Sequence, residues 1–335
     1  MKQNFKTEFK PYLDTLKKDN TELKNRFNQD KFILRLRKKA RKKILAAINK
    51  KTGLLDWNKL PKIITRNTKL IKSDKYEIFT AGIMMAPSSW SGYNVCSNAS
   101  FGCGVFCLTV SGHGERHMMD KNGNHNVHIA RIIRAILYYE YRDQFLTRLT
   151  LELAAHERKA KKLGALCGFR PNTTSDLSWE KIKVKDNKTL FELFPDIQFY
   201  DYSKVITRDI TGIKNYHLTF SLNERNSLLV GLAFKKNMNV TVVIRNKKIG
   251  NKWAPKPKTY TLNGITKKAI DGDLHDARFI DDKDCFILLD PKGKDTLKDT
   301  TGFVRELTIK VFKNGEEGTE TLDELFVHNL EQENE

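Results

Sequence analysis

The fold is decided by two short runs, Ile197-Gln198-Phe199-Tyr200-Asp201-Tyr202 and Tyr216-His217-Leu218-Thr219-Phe220-Ser221-Leu222. Each is rich in aromatic and β-branched residues, and each ends where polar residues begin, which is the signature of a buried strand. Working outward, similar runs occupy residues 76–84, 165–170, 240–245 and 285–289. The intervals between these runs carry helical or polar stretches and no tight hairpin signals. This spacing predicts an α/β fold built on parallel strands, an irregular or partial (βα) barrel of six strands. No internal repeat interrupts the pattern.

On the N-terminal side the chain reads as helical. Residues 1–30 have a partial apolar stripe, from Phe9 to Leu23. Residues 31–51 hold ten Lys and Arg, while Ile33, Leu36, Ala40, Ile44 and Ile48 recur at helical spacing. One face is therefore apolar and the rest cationic. Arg35, Arg37, Lys38, Lys39, Arg41, Lys42 and Lys43 are the candidate phosphate contacts. The plainer reading is a packed outer helix with a solvated face. Residues 126–163 predict a long helical region, bent near Arg142-Asp143, with Asn126 as its N-cap. Residues 246–275, rich in Lys, Gly and Pro, read as loop with room for a hairpin. The expected organisation is a basic helical extension over 1–60, an α/β body over 61–313 and an acidic tail over 314–335.

Composition bounds the function. The 335 residues are 39% hydrophobic and 30% charged, with mean hydropathy −0.53. No apolar run reaches the roughly 18 residues that a membrane span needs, and the first residues are polar. A cytoplasmic protein that makes no membrane contact is expected. The net charge is +20. That potential attracts polyanions, so nucleic acid, DNA or RNA, is the expected partner. A lysine-rich background composition explains the same number without a partner. The cysteine count is five, an odd number that argues against a disulfide framework in a reducing compartment.

Three of these cysteines, Cys96, Cys103 and Cys107, lie within twelve residues as C-x6-C-x3-C, just after the first strand run. A thiol cluster this dense is a candidate metal site. An iron–sulfur cluster is the first reading, because three local ligands leave one iron without a local protein ligand. Cys167, Cys285 or His113 would be fourth ligands, or the fourth position is left to a non-protein group. Zinc is the chief rival, with His113 or His117 completing a Cys3His site; unmetallated core thiols are the third reading. His125 and His128 follow in the same stretch and read best as capping or solvated side chains.

Parallel α/β folds place their sites at the carboxyl ends of the strands. Reading each run to its end gives Asn172, Ser175 and Asp176, then Tyr202 and Lys204, then Ser221 and Glu224. Asp176, Lys204 and Glu224 are the candidate catalytic groups. Asn172, Ser175, Tyr202 and Ser221 are the candidate cosubstrate contacts. A carboxylate directly after a buried strand needs a partner, which gives Asp176 and Glu224 their weight. Farther on, Asp271, Asp273, His275 and Asp276 crowd into six residues, a candidate second metal site of the kind used in phosphodiester cleavage. Asp271-Gly272 also marks an ordinary turn.

The ordered motifs S-G-Y-N-V-C, R-x-N-x-T-S-D-x-x-W-E, F-P-D-I-Q-F-Y-D-Y-S-K, N-Y-H-L-T-F-S and D-G-D-x-H-D-x-R-F resemble those of the phage-encoded "gene product 88" family over roughly residues 76–305. That family brings no biochemical role with it. Its cysteine loop and βα strands in turn resemble radical S-adenosylmethionine enzymes. The resemblance implies a [4Fe–4S] cluster held by Cys96, Cys103 and Cys107, with S-adenosylmethionine at the open iron. Those enzymes space their cysteines C-x3-C-x2-C, and no glycine-rich cosubstrate motif follows the first strand here. The cluster therefore carries over further than the radical chemistry. Three functions follow as expectations: a radical-type iron–sulfur enzyme acting on nucleic acid, a nucleic-acid-binding protein with a structural iron–sulfur or zinc site, and a metal-dependent nuclease.

Overall fold

A computed structural model describes residues 9–110, 125–250, 252–292, 295–313 and 316–321. The described N-terminal stretch as far as Ala47 is helical. Helix α1 (Lys10–Gln29) and helix α2 (Lys31–Ala47) are separated by Asp30 alone. Asp30 ends the first helix and caps the second, accepting from the Phe32 and Ile33 amides at 2.8 and 3.1 Å. Leu23, Ile33, Leu36, Ala40 and Ile44 are buried, and they belong to the same apolar cluster as the strands. Helix α3 (Phe101–Val105) carries the cysteine loop. Helix α4 (Asn126–Glu140) and helix α5 (Arg142–Lys162) break at Tyr141, next to the expected bend. His125, one residue before Asn126, is the N-cap.

The strands form one ten-stranded sheet. Its parallel spine is β2 (Ile78–Ile83), β3 (Leu166–Arg170), β4 (Gln198–Ser203), β5 (Tyr216–Ser221), β6 (Val240–Arg245), β11 (Cys285–Leu289) and β10 (Ile265–Asp271), in that spatial order. All six residues of β2 are buried and β6 alternates little, as expected of strands covered on both faces. The edges are antiparallel: β1 (Ile64–Thr65) on β2, and β9 (Thr259–Leu262) on β10. β12 (Arg305–Glu306) takes up pairing with β6 at Ile244 and Arg245, beyond the end of β11. Two small hairpins complete the strands, β7 (Lys248–Ile249) with β8 (Lys252–Trp253), and β13 (Thr308–Lys313) with β14 (Glu316–Thr321).

The six runs expected from sequence are all strands, within two residues at either end. The sheet has two distinct edges and does not close, so it is an open, mostly parallel α/β sheet and not a closed barrel. The stretch over 246–275, expected as loop with room for a hairpin, holds two hairpins, β7 with β8 and β9 with β10. Asn263-Gly264 turns β9 into β10, with φ of 51° and 74°, the conformation that two-residue hairpins favour. Among the described residues no helix is long and apolar enough to cross a membrane.

Candidate thiol-lined site at the strand ends

A cavity of about 200 Å³ opens at the carboxyl ends of β3, β4, β5, β6 and β11. Its wall includes Cys96, Cys103 and Cys107, together with Asp176, Lys204, Asn172, Ser175, Tyr202 and Ser221. With Asp273, which also lines it, ten of the residues singled out from the sequence thus come to one place. The arrangement follows from topology: each parallel strand delivers its exit to the same edge, and the cysteine loop follows the first of them.

The loop is held from two sides. On one side, Asn20 of α1 donates to the Ser97 and Ala99 carbonyls at 3.0 and 3.2 Å. Asp19 accepts from the Phe101 amide and pairs with Arg225 at 3.0 Å. Leu23 packs on Gly104, where an added Cβ would stand 2.5 Å from its Cδ2. On the other side stands Glu224. It accepts from the Gly102 amide and the Ser100 hydroxyl, each at 2.6 Å. Glu224 is absent from the cavity wall among the described residues. It acts on the loop that carries the thiols, and not on the cavity directly.

The thiols sit in a low-dielectric setting. Burial pushes Cys96 well above the ordinary thiol range, and Cys107 and Cys103 add to the shift. Burial pushes Cys103 up to about 11, against the pull of the Lys204 ammonium. As free thiols Cys96 and Cys103 stay protonated; a bound metal would displace those protons. Among the cations of the wall, Lys204 is the one that acts on the thiols. Its Nζ donates to Ser221 Oγ at 3.1 Å. Burial alone would lower it, but negative charge on Cys103 and Asp176 raises it; while the thiols hold their protons, the Asp176 carboxylate is the anion beside it. Asp176 accepts from Ser203 Oγ and the Lys204 amide, both at 2.8 Å.

Asn172 is committed to its own turn. It donates to Asp201 through both backbone and side chain at 2.8 Å and accepts from Ser175 Oγ at 2.8 Å. Asp201, fully buried, is pushed up to about 6 by burial, with Arg208 and Arg170 opposing. Tyr202 lies beneath Arg170 and Lys69, 4.4 and 4.9 Å from its ring centre.

The four members of the expected second metal site do not converge. Asp271 and Asp273, joined by Asp290, surround Lys256 Nζ at 2.5, 2.9 and 3.0 Å. Asp276 points elsewhere, pairing with Lys69 and Arg170 at 2.9 Å each. Burial would push Asp276 up, but Arg170, Lys69 and Arg278 hold it well below the carboxylate range. His275 faces Asp281 at 3.5 Å and is pushed down to about 4, by burial first and then by Arg278. Lys256 and Lys292 thus neutralise Asp271 and Asp273, and Lys69 and Arg170 neutralise Asp276, without a metal.

Among the described residues, no three His, Cys, Asp or Glu side chains close around one ion. His113 and His117 lie outside the described residues. Cys167 and Cys285 are buried, Cys167 within the core cluster and Cys285 donating to the Asp282 carbonyl at 3.1 Å. Neither lines the cavity. Sequence reading missed Lys69, Phe106, Phe303 and Thr296, which also form the wall. They come from a helical turn and from loops, where no periodicity marks them.

On α2, Arg37 donates to the Trp90 carbonyl at 2.6 Å and to Asn28 at 2.7 Å. Arg41 pairs with Glu140 at 2.7 Å. Arg35, Lys38, Lys39, Lys42 and Lys43 are exposed. Lys43 reaches Asn126 at 3.4 Å.

Fold and site together define an open parallel α/β protein with a thiol-lined cavity at its strand ends. The chain belongs to the gene product 88 family, whose model matches residues 60–307. Helices α1 and α2 lie outside that match, although α1 grips the matched cysteine loop. No curated protein and no solved structure matches the chain.

Proposed function

We propose that this is an iron–sulfur protein whose [4Fe–4S] cluster is held by Cys96, Cys103 and Cys107, and whose basic surface engages nucleic acid. The observation that carries the first part is that three thiols from one loop share a single cavity wall with an ammonium, Lys204. A cationic donor beside sulfur ligands is the setting in which an anionic cluster is stabilised. Zinc requires all its sulfurs about 2.3 Å from one point, whereas a cluster spreads them over separate irons.

Three local ligands would leave one iron without a local protein ligand, and S-adenosylmethionine is the candidate cosubstrate there. When bound, it would supply one-electron chemistry on reduction. In this chain Lys204 and Ser221 would take its carboxylate and Asp176 its ammonium. Asn172 and Ser175 would shape the turn beneath it, and Tyr202 the floor. The order of the parallel strands supports a radical-enzyme-like scaffold. The exposed lysines of α2 and the +20 charge support the nucleic-acid partner. The nuclease reading has less support, because Lys256 occupies the centre of the acidic cluster.

Anaerobic purification followed by iron, sulfide and zinc analysis tests the proposal. Iron and sulfide lost together in the Cys96→Ser, Cys103→Ser, Cys107→Ser variant support it. Zinc without sulfide refutes it.

A further inference from the structure

Two tyrosines stand where α2 meets the segment leading into the cysteine loop. Tyr93 and Tyr139 stack face to face, with ring centres 4.6 Å apart and planes 9° apart. Both hydroxyls are tied: Tyr139 donates to the Asn94 carbonyl at 2.8 Å, and Tyr93 donates to Glu140 at 2.6 Å. The same Glu140 receives Arg41 of α2. Tyr139 meets Tyr138 edge-on at 5.1 Å. Tyr139 remains 37% exposed despite these contacts and Tyr93 is half-buried, so the pair reaches the surface and is not core. Around Arg41, the exposed Lys38 and Leu45 lie one turn away on the same helix face, and Lys42 is adjacent. Asn94 is two residues from Cys96 and is fixed to α1 by Asn20 at 2.8 Å.

Rigid rings beside a row of cations match the way proteins hold single strands: phosphates lie along the charges and bases add to the aromatic stack. A duplex keeps its bases stacked inside and has nothing to offer the Tyr93 face. We propose that Tyr93 and Tyr139, with the outward face of α2, form a stacking platform for single-stranded nucleic acid at the entrance to the thiol loop. This rests on the nucleic-acid half of the proposed function, and it adds the form of the substrate and the residues that read it.

Fluorescence anisotropy tests it on the full chain. The probes are a labelled single-stranded DNA of about twenty nucleotides, the RNA of the same sequence, the DNA duplex, and phosphatidylserine vesicles as the competing polyanion. The single strands are expected to bind more tightly than the duplex. Tyr93→Ala should weaken them about 5- to 150-fold, the loss of one stacked base, at every salt concentration and with the salt slope unchanged. Tyr93→Trp should retain binding, which separates loss of stacking from loss of fold. Lys38→Gln with Lys42→Gln should instead lower the slope by about 1.4, since single strands give about 0.7 per phosphate contact. Equal binding of duplex and single strand with Tyr93→Ala neutral overturns the platform and leaves the basic helix standing. Binding to vesicles but to no nucleic acid overturns both.

Discussion

Glu224→Ala is the most informative single change, because the structure separates what Glu224 does from what its position at a strand exit suggests. Its carboxylate accepts the Gly102 amide and the Ser100 hydroxyl, both at 2.6 Å. Gly102 is buried, so truncation leaves its amide without an acceptor and without water. A buried donor left unsatisfied costs about 1–3 kcal/mol, and hydrogen bonds to a charged group contribute about 1.5–3 kcal/mol. The Ser100 hydroxyl is less exposed to this loss, since it already accepts from the Cys103 amide at 3.3 Å and can rotate. Together these give a destabilisation of about 2–4 kcal/mol. Glu224→Gln keeps one acceptor and should cost about half as much. Urea unfolding reads the difference as a shift in midpoint at unchanged slope. A thiol reagent should also reach Cys103 and Cys107 faster in the variant, because the loop loses its anchor. A change below about 0.5 kcal/mol with unchanged thiol reactivity would refute the anchoring role.

Other expectations follow from the same contacts. Asp276→Asn removes the carboxylate that Arg170 and Lys69 share, and thermal unfolding should show a loss of about 3–5 kcal/mol, as for other broken buried pairs. Arg37→Gln should destabilise by about 1–3 kcal/mol through its bonds to Trp90 and Asn28, whereas Lys38→Gln and Lys42→Gln should each stay within about 0.5 kcal/mol. Burial, then Arg278 and Lys283, push His217 down to about 4. A folded value below the unfolded one means that the stability His217 contributes is present above about pH 6.5 and is lost as pH falls through 4. Burial pushes Asp281 up to about 7, so Asp281 acts in the opposite sense over part of that range. The prediction is therefore a difference: His217→Gln should flatten the pH dependence of stability between 6.5 and 4 relative to the parent.

The parallel spine was readable because buried strands such as β6 and β11 carry apolar runs, and two-sided burial leaves little else in them. β10 was not, because Lys267 and Lys268 interrupt it. Those lysines pair with Asp284 and Asp282 at 2.6 Å, contacts that only the folded sheet creates. The Asn263-Gly264 pair was the local signal for that hairpin, hidden within a lysine- and proline-rich stretch. Strand exits correctly collected Asp176, Lys204, Tyr202 and Ser221 at one cavity. They could not tell a side chain facing that cavity from one facing the back of the cysteine loop, which is where Glu224 lies. Nor could spacing show that Asp276 would meet arginine and lysine from distant segments while its neighbours gathered around Lys256.

The most direct measurement is the absorption spectrum of anaerobically purified protein, taken with iron, sulfide and zinc content. The expected result is a brown protein with about four irons and four sulfides per chain, bleached when Cys96, Cys103 and Cys107 are replaced by serine. A colourless protein holding about one zinc, or no metal at all, would contradict the assignment of these three thiols to a cluster.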